Sequence, residues 1–273
     1  MNLGVVTVNL PRIAMESHGD MDLFWKIFDV RMQTCHEALQ FKAHRVTEAK
    51  PVNAPILYQY GAFGKRLSED GNVNDLFKNG RATISLGYIG LYEVGTVFYG
   101  SDWEHNKEAH DFTVEIVKKM HDLCAKWEEE DPNHYHYSLY STPSESLTDR
   151  FCRLDTAKFG KVKDITDKEY YTNSFHYDVR KHPTPFEKLS FEMDYPKYAA
   201  GGFIHYCEYP NLKQNPAALE AVWDWAYDKV GYLGTNTPID KCYKCGLPVN
   251  SRLLLKASNA QSAATTIHVL VTV

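Results

Sequence analysis

An α/β fold follows from two observations. β-branched runs alternate with amphipathic helical stripes over about 245 residues, and glycines punctuate several of the strand ends. Such glycines let a chain turn into a crowded centre, which favours a barrel or a large closed sheet, although the periodicity fits an open sheet equally well.

The first strand is residues 4–10, GVVTVNL, which ends at Pro11, a residue that cannot continue a ladder. Phe24, Ile27, Arg31, Cys35, Ala38 and Leu39 then recur at three- and four-residue steps, the pattern of a helix with one face inward. A second strand is expected over residues 55–60. Over residues 83–97 (TISLGYIGLYEVGTV), Ile84, Leu86 and Tyr88 alternate with small residues, predicting a strand that its glycines bend. Ser101 and Glu104 are spaced to cap the strongest helix of the chain reciprocally. Its stripe runs from Ala109 through Phe112, Ile116 and Met120 to Trp127, and Asp131-Pro132 closes it. Tyr135, Tyr137 and Leu139 alternate as in a half-buried strand, and a helix over residues 147–154 follows. Further strands are expected at residues 172–177 and 203–208. Asn215-Pro216 opens a last helix with Val222, Trp223 and Ala226 inward, which Gly231 is placed to end in a left-handed conformation.

Charge and composition exclude whole classes of function. With 30 Lys and Arg against 35 Asp and Glu in 273 residues, the net charge of −5 leaves no basic footprint for nucleic acid, so no direct DNA binding is expected. No apolar run approaches the roughly 20 residues of a membrane span, and residues 3–8 are too few for a signal peptide. Six cysteines, four of them isolated (Cys35, Cys124, Cys152 and Cys207), suit a reducing cytoplasm. None of the 36 aromatic or 35 acidic residues falls in residues 247–273, so that tail reads as foreign to the rest.

Two segments could carry chemistry. In Ser141-Thr142-Pro143-Ser144-Glu145-Ser146, Thr142 as N-cap would place Pro143 first and Glu145 third in a helix, a capping box. The same geometry aims N–H groups and hydroxyls beyond a strand end, which suits a phosphate. Cys242 and Cys245, two residues apart with Gly246 behind them, have the spacing of half a four-thiolate zinc site. No second Cys-x-x-Cys exists in the sequence, so an exposed reduced thiol pair is the other reading. His134 and His136, set among tyrosines, read as structural, and Cys152 as a small buried hydrophobe. Asn9, polar at the end of an apolar strand, either faces a ligand or initiates a turn.

Six segments in order resemble one family closely: GVVTVNLPRIA, RATISLGYIGLYEV, YSLYSTPSESLTDRF, FEKLSFE, YPKYAAGGFIHYCEYPN and GYLGTNTPIDKCYKCG. They are similar to the catalytic subunit of anaerobic, class III ribonucleoside-triphosphate reductases, which are glycyl radical enzymes. The resemblance runs over residues 4–246. It implies roughly the second half of a ten-stranded α/β barrel over residues 1–240, the first half of a zinc site at residues 241–246, and an atypical tail at residues 247–273. The implied activity is reduction of ribonucleoside triphosphates to deoxyribonucleoside triphosphates by radical chemistry, for DNA synthesis.

The resemblance also assigns roles. Asn9 matches an active-site Asn; Ser141, Thr142, Ser144 and Glu145 match the loop that holds the substrate phosphates; Cys242 and Cys245 match the first pair of zinc ligands. Formate as reductant, a radical S-adenosylmethionine activating enzyme and a homodimer are implied partners. The family's thiyl-forming cysteine and its radical glycine have no counterpart here, since Gly231 stands before the first cysteine pair. An isolated chain of this sequence is therefore expected to be inactive. The alternatives are a non-catalytic nucleotide-binding module and a piece that assembles with a separately encoded remainder.

Overall fold

The computed structural model describes residues 1–237 and the backbone of two short strand segments at 240–241 and 248–249. Two compact units are present, Met1–Ile204 and a second that begins at His205. No helix among the described residues is long and apolar enough to cross a membrane.

The first unit is built on a three-stranded parallel sheet ordered β1 (Asn2–Asn9), β2 (Thr83–Ile89), β3 (His136–Tyr140). Ile84 through Ile89 are all buried, so β2 is covered on both faces, as a central parallel strand must be. Around the sheet pack α1 (Leu10–Glu16), α2 (Met21–Thr47), a single turn α3 (Pro55–Tyr58), α4 (Leu91–Tyr99), α5 (Lys107–Glu130), α6 (Glu145–Phe159) and α7 (Pro185–Glu192). Phe24 and Phe28 of α2, Phe98 of α4 and Phe112 of α5 meet in one cluster, with Phe24 edge-on to Phe98 and Phe112 at 5.5 Å between ring centres. Edge-to-face rings add about 0.5–1.5 kcal/mol each beyond the area they bury, which ties three helices together.

The second unit contains β4 (His205–Glu208), α8 (Pro216–Ala226) and β5 (Leu233–Asn236), with β4 and β5 parallel as a β-α-β crossover requires. β6 (Asp240–Lys241) pairs with β7 (Pro248–Val249) in antiparallel register.

The strand over residues 4–10, the long helix after it, the strong helix closed by Asp131, and strands at 136–140 and 205–208 all form as the patterns predict. Several elements differ. Residues 55–60 give a helical turn instead of a strand, because Pro55 at the first position presets helical φ. The predicted bent strand over 83–97 stops at Ile89, where Gly90 at φ +79° redirects the chain into α4. Asn106, not Ser101, caps α5 by accepting from the N–H groups of Glu108 and Ala109, while Ser101 bonds Asp164 and Glu104 accepts from the Tyr92 hydroxyl. Residues 172–177 spend their backbone on the end of β2: Gly90 N–H donates to Thr172 O at 2.9 Å and Leu91 N–H to Ser174 O at 3.2 Å. α8 ends at Ala226, five residues before Gly231, and Trp223 lies outward because the buried stripe is Val222 and Ala226.

Gly95 on α4 permits a close helix contact in the first unit. A Cβ there would lie 2.2 Å from the ring of Trp103, which is fully buried and donates its indole N–H to Tyr92 O. Gly→Ala normally favours a helix by about 1 kcal/mol, but a fixed indole cannot retreat, so overpacking outweighs propensity. Gly95→Ala is expected to destabilise the chain by about 2 kcal/mol, read as a fall of roughly 4–8 °C in Tm by circular dichroism. An unchanged or raised Tm would contradict the packing.

Candidate functional site

Parallel strands bring their carboxyl ends to one edge, and here that edge gathers Asn9, Gly90 and the loop after Tyr140. Gly87 sits opposite Thr7 on β1 and Tyr140 on β3. A Cβ on Gly87 would lie 2.2 Å from Thr142 Oγ1 and 2.7 Å from Thr7 Oγ1, so both hydroxyls rest on its bare backbone. Asn9 lies two residues beyond Thr7 in unbroken register, so strand alternation places it on the same face as Thr7 and Thr142.

The loop itself is fastened from both sides. The hydroxyls of Ser141 and Tyr88 hydrogen-bond at 2.9 Å, and Ser141 N–H donates to Gly202 O at 3.0 Å. Burial pushes the Tyr88 phenol far above its ordinary range, partly offset by that bond, so it stays a neutral donor or acceptor. Thr142 Oγ1 donates to Tyr140 O, and Ser144 N–H donates to Asn173 Oδ1 at 3.0 Å. α6 begins at Glu145 with Ser144 as N-cap and no capping bond from its side chain. The expected capping box on Thr142 is therefore replaced by a start two residues later, because Asn173 takes the amide of Ser144. Glu145 opens the helix, and its side chain lies outside the described residues, as do Cys242 and Cys245.

Asn9 is both of the things its sequence position allowed. Its Oδ1 accepts from Arg12 N–H at 3.1 Å, capping α1, and its Nδ2 donates to Asp155 Oδ2 at 2.9 Å. Asp155 on α6 is fully buried and also receives the Arg12 guanidinium on Oδ1 and the Tyr171 hydroxyl on Oδ2 at 2.7 Å. Burial and then the Asp155 charge raise the Tyr171 phenol far above its ordinary range, leaving it a fixed donor. Cys152, one helical turn before Asp155, is fully buried and burial pushes its thiol up to about 11, as suits a packing residue.

Asp155, Arg12, Tyr171, Asn173 and Gly87 were not singled out from the sequence. One signal was available for Asp155. Thr148, Cys152 and Asp155 recur at four and three residues, so an acid occupies the inward stripe of its helix.

A second charged group lies beside the first. Lys168 Nζ is held between Glu93 of α4 and Asp178, the latter at 3.0 Å, with Arg180 also on Asp178 at 2.9 Å. Glu93 Oε1 takes Thr172 N–H and hydroxyl at 2.9 and 2.8 Å, which fixes the 172–174 segment against β2. Burial alone would raise the Asp178 carboxyl, yet Arg180 and Lys168 outweigh it and hold it below the usual range. His136, by contrast, pairs with Glu128 away from this edge at 2.8 Å, and His134 precedes β3 at φ +49°.

Comparison with known proteins decides the family. The family model described as anaerobic ribonucleoside-triphosphate reductase matches residues 1–256. The chain belongs to that family. It is 52% identical over 246 residues to the anaerobic ribonucleoside-triphosphate reductase of Escherichia coli, covering 90% of this chain and 34% of that protein. The Enterobacteria phage T4 enzyme of the same name is 47% identical over 249 residues, covering 90% of this chain and 39% of its own length. A Thermotoga maritima anaerobic ribonucleotide reductase solved in complex with dATP and CTP has the same mixed α/β fold, with a TM-score of 0.63 at 21% identity over 90% of this chain and 38% of that one. The chain thus spans about a third of the length of the curated reductases it matches.

In this reductase-family chain the pH dependence of stability is set partly by Asp178. Its lowered carboxyl contributes stability above the unfolded value near 3.8, and that contribution is lost as pH falls through the lower folded value. Lys168→Met leaves Glu93 buried without its cation and Asp178 with Arg180 alone, which should cost about 3–5 kcal/mol at pH 7. The deficit should shrink as pH falls towards 4, because without Lys168 only Arg180 opposes the burial of Asp178 and its carboxyl takes up a proton more readily. Urea denaturation of both chains at pH 7 and pH 4.5 measures it, and a pH-independent deficit would refute the assignment.

Proposed function

We propose that the chain carries substrate-binding machinery of an anaerobic ribonucleoside-triphosphate reductase, the portion of the catalytic barrel that holds the nucleotide. The observation that carries this reading is the placement of Asn9 and Thr142 on one face of a parallel sheet at its carboxyl edge, where α/β sheets bind ligands. The phosphates sit at Ser141, Thr142, Ser144 and Glu145, where the amino end of α6 favours negative charge, the Ser144 hydroxyl can donate, and the Thr142 hydroxyl can donate once it turns from Tyr140 O. Asn9 addresses the ribose with the amide N–H and carbonyl lone pair that Asp155 and Arg12 leave free. The complex of the Thermotoga protein with CTP and dATP supports a nucleotide ligand.

Residues 1–240 are then a portion of a ten-stranded α/β barrel, followed by an atypical tail over residues 247–273, of which the family match takes in only residues 247–256. Cys242 and Cys245 supply two thiolates towards a structural zinc site, half of the tetrahedral set, with two more ligands required. The glycyl radical supplies the one-electron chemistry of such an enzyme, with formate as reductant and a radical S-adenosylmethionine enzyme as activator. What this chain's residues do is bind the triphosphate, orient the ribose and exclude water, within a cytoplasmic homodimer that makes deoxyribonucleotides for DNA replication.

Calorimetric titration of the purified chain with CTP and with inorganic tripolyphosphate separates the two halves of the site. Thr142→Val is expected to weaken both ligands by roughly tenfold, and Asn9→Ala to weaken CTP alone. No heat of binding for either ligand up to millimolar concentration overturns the proposal. Supplied with formate and an activating enzyme, the chain by itself is expected to form no deoxyribonucleotide, which product chromatography reads directly.

A further inference from the structure

We infer that Asp155 is a positioning residue for Asn9, fixing which end of its carboxamide faces a ligand. The inference rests on the reading of Asn9 as a ligand-binding residue and deepens it.

A carboxamide is nearly symmetrical in shape, and only its surroundings decide where oxygen and nitrogen lie. At Asn9 both ends are determined. Oδ1 faces the N–H of Arg12 at 3.1 Å, and Nδ2 faces the carboxylate of Asp155 at 2.9 Å. Turning the amide over would set donor against donor at Arg12 and acceptor against acceptor at Asp155. The Arg12 N–H is the single neutral donor that any helix N-cap meets, and the carboxylate adds a charge-assisted acceptor at the other end of the amide. Asp155 itself cannot turn away: the Arg12 guanidinium holds Oδ1, and the Tyr171 hydroxyl shares Oδ2 with Asn9. It is fully buried, as is Tyr171 but for 1% of its surface.

The inventory of Asn9 then defines what a ligand meets. One Nδ2 proton and one Oδ1 lone pair are spent inside the protein, leaving one donor and one acceptor of fixed direction. A sugar hydroxyl, which both donates and accepts, matches that pair. Pre-orientation removes the rotamer search that a free Asn would undergo on binding. Asp155 touches no ligand in this account; it acts through Asn9.

The test reads the amide directly. In the full chain labelled with ¹⁵N-asparagine, the Asn9 side-chain pair, assigned by its loss in Asn9→Ala, should show two well-separated proton shifts and slow solvent exchange. In Asp155→Asn, which keeps the shape and loses the carboxylate, that exchange should quicken by roughly tenfold or more. CTP affinity should fall about as far as in Asn9→Ala, and the double variant should be no worse than either single one. A residue that only supports the fold would lower Tm and leave both the Asn9 amide and the CTP affinity as they were.

Wild-type CTP affinity in Asp155→Asn, with affinity reduced in Asn9→Ala, overturns the positioning role and keeps Asn9 as a ligand residue. Wild-type affinity in Asn9→Ala overturns that role of Asn9 and, with it, the inference. An Asn9 amide that exchanges in the unaltered chain as fast as exposed asparagines also overturns the inference, and it needs no variant to fold.

Discussion

The carboxyl edge of the sheet depends on a close approach that only a missing side chain allows. At Gly87 the backbone of β2 lies within reach of hydroxyls from both neighbours, Thr7 on β1 and Thr142 after β3. An alanine there would put carbon 2.2 Å from Thr142 Oγ1, and packed interiors have no slack to absorb such an overlap. With the loop held down at Gly87, the start of α6 lies at the sheet edge, and α6 carries Asp155 back over the end of β1. One bare position thereby governs where the candidate phosphate loop sits and what reaches Asn9. Gly90 has a related role at the end of the same strand, since Pro11 packs 2.2 Å from where its Cβ would be.

The same edge concentrates buried charge. Asp155, Glu93 and Asp178 are almost completely removed from solvent, and each is answered by a cation: Arg12, Lys168 and Arg180. Burying ion pairs is rarely the cheapest way to gain stability, because desolvation offsets most of the attraction. What they provide is direction, since a carboxylate that accepts from two or three fixed donors holds those donors in one arrangement. Glu93 does this to Thr172, and thereby to the segment that carries Asn173 to the amide of Ser144. Two ion networks built on different helices thus converge on the two ends of one site.

How much of this was legible in sequence follows from range. β1, α2, α5 and β3 bury one face along a regular period, so their identity is written in a local pattern. The turn at Pro55, the break at Gly90 and the true cap at Asn106 depend on which of several competent residues takes the role, and Ser101 is drawn from the cap by Asp164, 63 residues away. Asn9 and the loop at 141–144 could be picked out as polar residues at strand ends. Asp155 and Tyr171 could not be joined to Asn9, because 146 residues separate Asn9 from Asp155 and nothing local records the bond. The donors a buried acid will meet belong to the tertiary fold.

This explains which segments carry the family's likeness. Three of the six recognisable stretches are strand-to-helix junctions, at Asn9-Leu10, at Gly90-Leu91 and over 141–145, and a fourth contains Gly201 and Gly202. That fourth stretch runs against β3: Gly201 N–H donates to Leu139 O at 2.8 Å, and a Cβ on Gly201 would lie 2.7 Å from the same oxygen. It pairs with the end of an otherwise open strand edge beside the loop at Ser141. A helix such as α5 needs only apolar residues at the right spacing, and many sequences satisfy that. A strand end that must meet two neighbours, a cap and a buried carboxylate at once admits few residues, so such a junction is recognisable from a short stretch of sequence.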